Sequence, residues 1–153
     1  MNKDFLINSE YQEFINQIKQ SIKQAQHIAI RKVNSELINL YYQIGQKIVE
    51  KQKSANWGED LIGQIERDLK LAFPNISGFS RRNLNYMRYL YEFIGHHEKM
   101  PQLVAQIPWG HIRLILDKIK NIPAAEFYIQ KTIDYSWSRV ILDHQIDLKL
   151  YER

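Results

Sequence analysis

From Glu10 to Lys53 the chain contains no proline and a single glycine, Gly45. A run this long without a breaker predicts helix throughout, because proline and glycine are the residues that most strongly interrupt one. Ser9 and Gln12 have capping-box spacing, which predicts a helix start near Glu10. Tyr11, Ile15, Ile18, Ile22, Ala25 and Ala29 alternate steps of four and three, the repeat of a coiled-coil seam. Val33, Leu37, Leu40, Tyr41, Ile44 and Ile48 continue a helical stripe. As one rod the segment would be about 65 Å long at 1.5 Å per residue. A domain of this size is about 40 Å across. Either the helix breaks near Lys32–Asn34, with Asn34 capping a second helix, or residues 1–33 project from a core built by residues 34–153. A projecting half leaves its seam uncovered, and a homo-oligomer is the expectation that follows.

The remainder reads as shorter helices separated by clear stops. Trp57-Gly58 ends a polar connector, with the tryptophan expected to tuck onto the core. Glu59 to Phe73 carries Leu61, Ile62, Ile65, Leu69 and Phe73 on one face, and Pro74-Asn75-Ile76-Ser77-Gly78 stops it. Ser80 caps the next helix, which runs to about Ile94 with Leu84, Met87, Tyr91 and Ile94 inward. A short helix is expected over 102–106 and another over Trp109 to Lys120, with Ile112, Ile115, Leu116 and Ile119 inward. Pro123 suits the first turn of a helix reaching Tyr135. A last helix starts after Ser136 or Ser138 and continues to the C-terminus. No strand pattern of any length appears, so the fold class is all-α: one multi-helix domain over residues 1–153, with a long N-terminal helix and a helix-turn-helix-like unit over 59–94. Phe79-Ser80-Arg81 with Leu84 is echoed by Trp137-Ser138-Arg139 with Leu142, which predicts a second such unit unless it is only the common grammar of helix starts.

Composition narrows the function classes. With 44% hydrophobic residues in 153, the chain is expected to fold around a core. The absence of cysteine excludes disulfides and thiolate zinc sites and fits a reducing compartment. The run Phe5-Leu6-Ile7 is too short for a signal peptide, and no apolar stretch approaches the roughly twenty residues of a membrane span. The expectation is a soluble, cytoplasmic protein with no membrane partner. A net charge of +4 permits a polyanionic partner without requiring one.

The most suggestive segment is Gly78-Phe79-Ser80-Arg81-Arg82-Asn83-Leu84-Asn85-Tyr86-Met87-Arg88. Arg81 and Arg82 fall in a first helical turn, where they oppose the helix dipole, a placement easier to understand if an anion sits there. Arg82, Asn85, Arg88 and Tyr89 then become candidates for phosphates and base edges, as does Arg81 itself. Against this stands the ordinary reading, in which these arginines are solvated or paired with Glu92 and nearby acids; the residues alone leave both open. Arg139 is a minor candidate, because Asp143 and Asp147 on the same helix would repel phosphate, and Trp137 reads as packing. Tyr86 and Tyr89 are the aromatics kept as contacts, while Tyr41, Tyr91, Phe93, Trp109 and Phe127 fall on inward stripes.

Other chemistry is poorly supported. His96-His97-Glu98 are adjacent rather than a helical turn apart, so they do not converge on a metal; His27, His111 and His144 stand alone, and His111 is the one worth testing. A nuclease of the PD-(D/E)XK type needs an acid and an acid-x-Lys pair held on strands. The acid-x-Lys triplets here, Asp68-Leu69-Lys70 and Asp147-Leu148-Lys149, fall in helices. No phosphate-cradling glycine loop is present. No metal or other cofactor is expected.

Several runs together resemble the N-terminal domain of the YhcG family. They are Val33-Asn34-Ser35-Glu36-Leu37, Leu40-Tyr41-Tyr42-Gln43-Ile44-Gly45, Phe73-Pro74 leading to Gly78 through Leu84 with Met87-Arg88, Leu103 through His111, and Trp137-Ser138-Arg139 with Leu142 and Gln145-Ile146. The resemblance spans residues 26–153 in order. It implies a bacterial nucleic-acid-handling protein, because members join such a helical domain to a C-terminal PD-(D/E)XK nuclease domain. The chain stops at Leu150-Tyr151-Glu152-Arg153, about where that second domain would begin, so no catalytic residue carries over and no enzyme activity is expected of this chain. It reads as a piece of a longer nuclease or a stand-alone relative. The expectation is a duplex-DNA-binding domain using Arg81, Arg82, Asn85, Arg88, Tyr89 and Arg139; the alternative is a helical interaction module using the 11–29 seam.

Overall fold

A computed structural model describes residues 8–54 and 60–153. Seven helices and no strand occur among the described residues: α1 Ser9–Ser54, α2 Leu61–Ala72, α3 Arg81–Ile94, α4 Met100–Val104, α5 Trp109–Lys118, α6 Ile122–Tyr135 and α7 Arg139–Asp147. The all-α class and the long N-terminal helix are as the sequence predicts. The Phe5-Leu6-Ile7 run and the Trp57-Gly58 connector lie outside the described residues. The chain divides into two units, Met1–Val33 and Asn34–Arg153.

α1 starts one residue earlier than its capping-box spacing predicts. The cap is Asn8, whose side-chain oxygen accepts from the Glu10 N–H at 2.8 Å, while its carbonyl accepts from Gln12 at 3.1 Å. Nor does α1 break at Lys32–Asn34. Asn34 is not a cap: its amide donates to the Ile107 carbonyl at 2.9 Å, and the Ser35 hydroxyl donates to the Ala105 carbonyl at 2.9 Å. These side chains satisfy carbonyls at the end of α4, where helical bonding runs out.

In the Asn34–Arg153 unit the buried face of α1 is rotated from the predicted stripe. Ile38, Tyr41, Gly45, Ile48 and Val49 are buried, whereas Leu37 and Leu40 are exposed. The rotation follows from Gly45. A Cβ placed there would sit 2.0 Å from the Met87 carbonyl oxygen, so α1 and α3 cross with backbone against backbone. On α3 the buried residues are Leu84, Met87, Leu90 and Ile94, while Tyr91 is only half-buried, edge-on to Tyr42 at 5.4 Å.

α2 packs on α3, α3 on α5, α4 on α6, and α7 on both α5 and α6. Phe73 is exposed rather than part of the α2 face, and Gly63 is buried in its place. α4 begins at Met100, earlier than predicted, with Pro101 in its first turn, where a missing N–H costs nothing. Asn121 caps α6, accepting from Ala124 N–H at 2.9 Å, and Pro123 lies in the first turn as predicted. Ser138 caps α7 through Ile141 N–H at 3.2 Å. α7 does not reach the C-terminus: the chain turns after Asp147, with Lys149 in the left-handed region at φ 57°.

Candidate nucleic-acid interface

The connection between α2 and α3 runs from Phe73 to Ser80, eight residues against the three or four of a tight helix-turn-helix. Side chains fix it nevertheless. Gly78 has φ 105°, a conformation other residues resist, and a Cβ there would lie 2.6 Å from the Tyr41 hydroxyl. Phe79 meets Tyr41 edge-on at 6.3 Å, and Tyr41 meets Trp109 at 4.8 Å. Asn83, which the sequence reading passed over, ties three elements together. Its amide donates to the Gly78 carbonyl at 3.3 Å, and its oxygen accepts from Trp109 Nε1 at 3.4 Å and Arg113 Nη1 at 3.5 Å.

The N-terminus of α3 is occupied by the protein's own acceptors. The Ser80 hydroxyl accepts from Asn83 N–H at 3.2 Å, and Glu66 of α2 accepts from the Arg81 N–H at 2.7 Å. The Arg81 guanidinium closes a two-pronged pair on Asp60, Nη1–Oδ1 2.8 Å and Nη2–Oδ2 3.2 Å. Asp60 also caps α2 by accepting from Gly63 N–H at 3.2 Å, and Arg67 approaches it at 3.6 Å. The Arg81 hydrogen bond is the main cause holding the Asp60 carboxyl below its ordinary 3.8. Gly63 makes room for the pair, since a Cβ would fall 2.3 Å from both partners. With both side chains about half exposed, the pair orients α2 against α3 more than it stabilises the fold. The unfavourable placement of Arg81 in a first turn is thus offset from within.

Arg82 faces elsewhere. Its guanidinium lies 5.8 Å from the Tyr86 ring centre, and Arg113 of α5 lies at the same distance from that ring. The Tyr86 hydroxyl donates to the Asp117 carboxylate at 2.7 Å. One turn on, Tyr89 stacks with Phe93 at 6.0 Å, and the Lys120 ammonium lies 5.5 Å from the Tyr89 ring. A ledge therefore follows the α3–α5 seam, carrying Arg82, Tyr86, Tyr89, Arg113 and Lys120. Its three cations make no ion pair among the described residues; Asp117 is the acid in its midst.

Asn85 and Arg88 lie on the neighbouring face of α3 with Arg81. The Asn85 amide donates back to the Arg81 carbonyl at 3.0 Å. The Nε atoms of Arg88 and Arg113 are enclosed with no hydrogen-bond acceptor. Arg139 is exposed on α7, its stem near Gly110, one turn before Arg113 on α5. The acids expected to repel phosphate beside it are engaged: Lys118 pairs with Asp143 and, at 2.8 Å, with Asp147. His111 is a buried linker, its Nε2 2.9 Å from the Trp137 carbonyl. No group of three or more metal-binding side chains converges among the described residues.

The sequence reading singled out Arg82, Tyr86 and Tyr89 but missed Arg113 and Lys120. Part of their signal was present: Arg113 and Asp117 stand one turn apart beside the apolar stripe of Ile112, Ile115 and Leu116, whereas Lys120 lies past the helix end, after an extended Ile119.

This chain matches the family described as DUF1016 N-terminal domain over residues 17–153, and it belongs to that family. It is 29% identical, over an alignment of 177 positions, to a protein of Escherichia coli (strain K12) described as "Putative nuclease YhcG". That alignment covers 94% of this chain and 46% of the relative, so the chain spans about half the length of the curated relative it matches. No solved structure gives a significant match. No described helix is long and apolar enough to cross a membrane.

Proposed function

We propose that this domain grips the backbone of duplex DNA on behalf of a nuclease, using the α3–α5 ledge. The observation that carries the reading is Arg82 and Arg113 flanking one tyrosine ring from two helices, with neither guanidinium paired to a carboxylate. Two planar cations over one ring, with only Arg113 Nη1 engaged by Asn83, leave further guanidinium donors for phosphate oxygens. Lys120 extends the positive track past Tyr89, and Arg88, Asn85 and Arg139 border it as flanking contacts. Arg81 contributes by bracing α2 against α3 through Asp60. The tie to a nuclease rests on the relative's description and on family membership.

The test is a titration of labelled duplex DNA with the wild-type chain and with Arg82→Ala/Arg113→Ala at two salt concentrations. Removing two phosphate contacts should weaken binding and reduce the slope of log K against log salt by about 2. Unchanged affinity with an unchanged slope would sink the proposal. Single-stranded DNA and RNA of the same sequence, run alongside, identify the preferred form.

A further inference from the structure

The N-terminal part of α1 carries several exposed apolar side chains. Within the Met1–Val33 unit Phe14 is 57% exposed, Ile22 53% and Ile28 56%, and Ala25 and Ala29 are exposed beside them. Ile22, Ala25 and Ala29 fall on the heptad seam, with Ile15, Ile22 and Ala29 at one core position and Tyr11, Ile18 and Ala25 at the other, while Phe14 and Ile28 flank it. We propose that this seam is covered by the same segment of a second copy of the chain, packed antiparallel.

The sizes of the seam residues select both partner and direction. Large residues occupy the N-terminal half and alanines the C-terminal half. A parallel pair would set Tyr11 against Tyr11 and Ala29 against Ala29, overfilled at one end and hollow at the other, and each defect is costly. An antiparallel pair opposes Tyr11 to Ala29, Ile15 to Ala25 and Ile18 to Ile22, so every layer has an intermediate volume. The same register brings Phe14 of one copy beside Ile28 of the other, covering two apolar side chains that are each more than half exposed in the single chain.

Charge agrees with this direction. Glu10 and Glu13 are the acids of residues 8–33 and stand at its start, while Lys19, Lys23, Arg31 and Lys32 follow. Antiparallel packing sets the acidic start of each helix beside the basic end of its mate, and opposes the two helix dipoles favourably. Parallel packing would align acid with acid and base with base. The one like-charge meeting is Lys19 with its counterpart, at the solvent rim near the two-fold.

Sedimentation of the full chain over a wide concentration range should show a species of twice 18.3 kDa. Ile22→Glu, at an exposed position, should return it to 18.3 kDa without lowering the thermal midpoint. Direction is read by cross-linking, since the natural chain has no cysteine to interfere. Ile15→Cys mixed with Ala25→Cys should form an inter-chain disulfide under mild oxidation, whereas either variant alone should not, its thiols lying about 15 Å apart along the pair. A monomer at every concentration, a larger assembly, a dimer indifferent to Ile22→Glu, or self-cross-linking of Ile15→Cys alone would each overturn the proposal.

Discussion

Arg81 and Arg82 are neighbours of the same type with different employment. A step of about 100° around the helix turns one toward Asp60 and the other toward Tyr86. The consequence for Asp60 can be measured. Its carboxyl is held below 3.8 by the Arg81 hydrogen bond, so the folded state favours the ionised form. The stabilisation is therefore complete above the unfolded value and is lost as pH falls through the lower folded value. Urea unfolding from about pH 5 down to about pH 2 should show wild type losing stability at the acid end, and Asp60→Asn should flatten that limb by starting lower. An acid limb of the same steepness in Asp60→Asn would assign the loss to other carboxylates.

At the scale of elements, the crossing of α1 and α3 at Gly45 matters most for the site, because it brings the two backbones together behind the helix that carries the ledge. A methyl group at Gly45 would meet the carbonyl of Met87, backbone that cannot rotate away. Gly45→Ala should destabilise the domain by about 1–3 kcal/mol, despite the better helix propensity of alanine, because the helices must separate. Chemical denaturation checks the sign: a gain in stability would mean the crossing relaxes freely. The α2–α3 connection is likewise held by contacts from other elements. Eight residues are held by Gly78, Phe79 and Asn83 rather than by a short turn, so the pose of α3 depends on Tyr41 and Trp109 from two other elements.

For the whole molecule, every buried apolar side chain among the described residues comes from Ile38 onward. A chain lacking residues 1–30 should therefore unfold at nearly the wild-type temperature while losing self-association. Calorimetry paired with sedimentation separates the two effects, and a large fall in the midpoint would show that the N-terminal segment supports the core. A net charge of +4 is too small to hold DNA by its overall field. Affinity would have to come from local grouping, which is why the proposed grip depends on where a few cations stand.

The sequence by itself determined the all-helical class, a helical run from Glu10 to Lys53 that it left open to a break near Lys32–Asn34, and nearly every helix start after it. Those follow from local rules: breakers, caps such as Ser80 and Ser138, and periodicity within one segment. It also presented the basic start of α3 and the 11–29 seam. It did not determine the face of α1 that is buried, nor that Asn34 would serve carbonyls on a distant turn. It did not show that Arg81 would be taken by Asp60, or that Arg113 and Lys120 would join Arg82 along one ledge. Those outcomes depend on which helices cross and how closely, and Gly45 against Met87 sets one such distance only once the chain has folded.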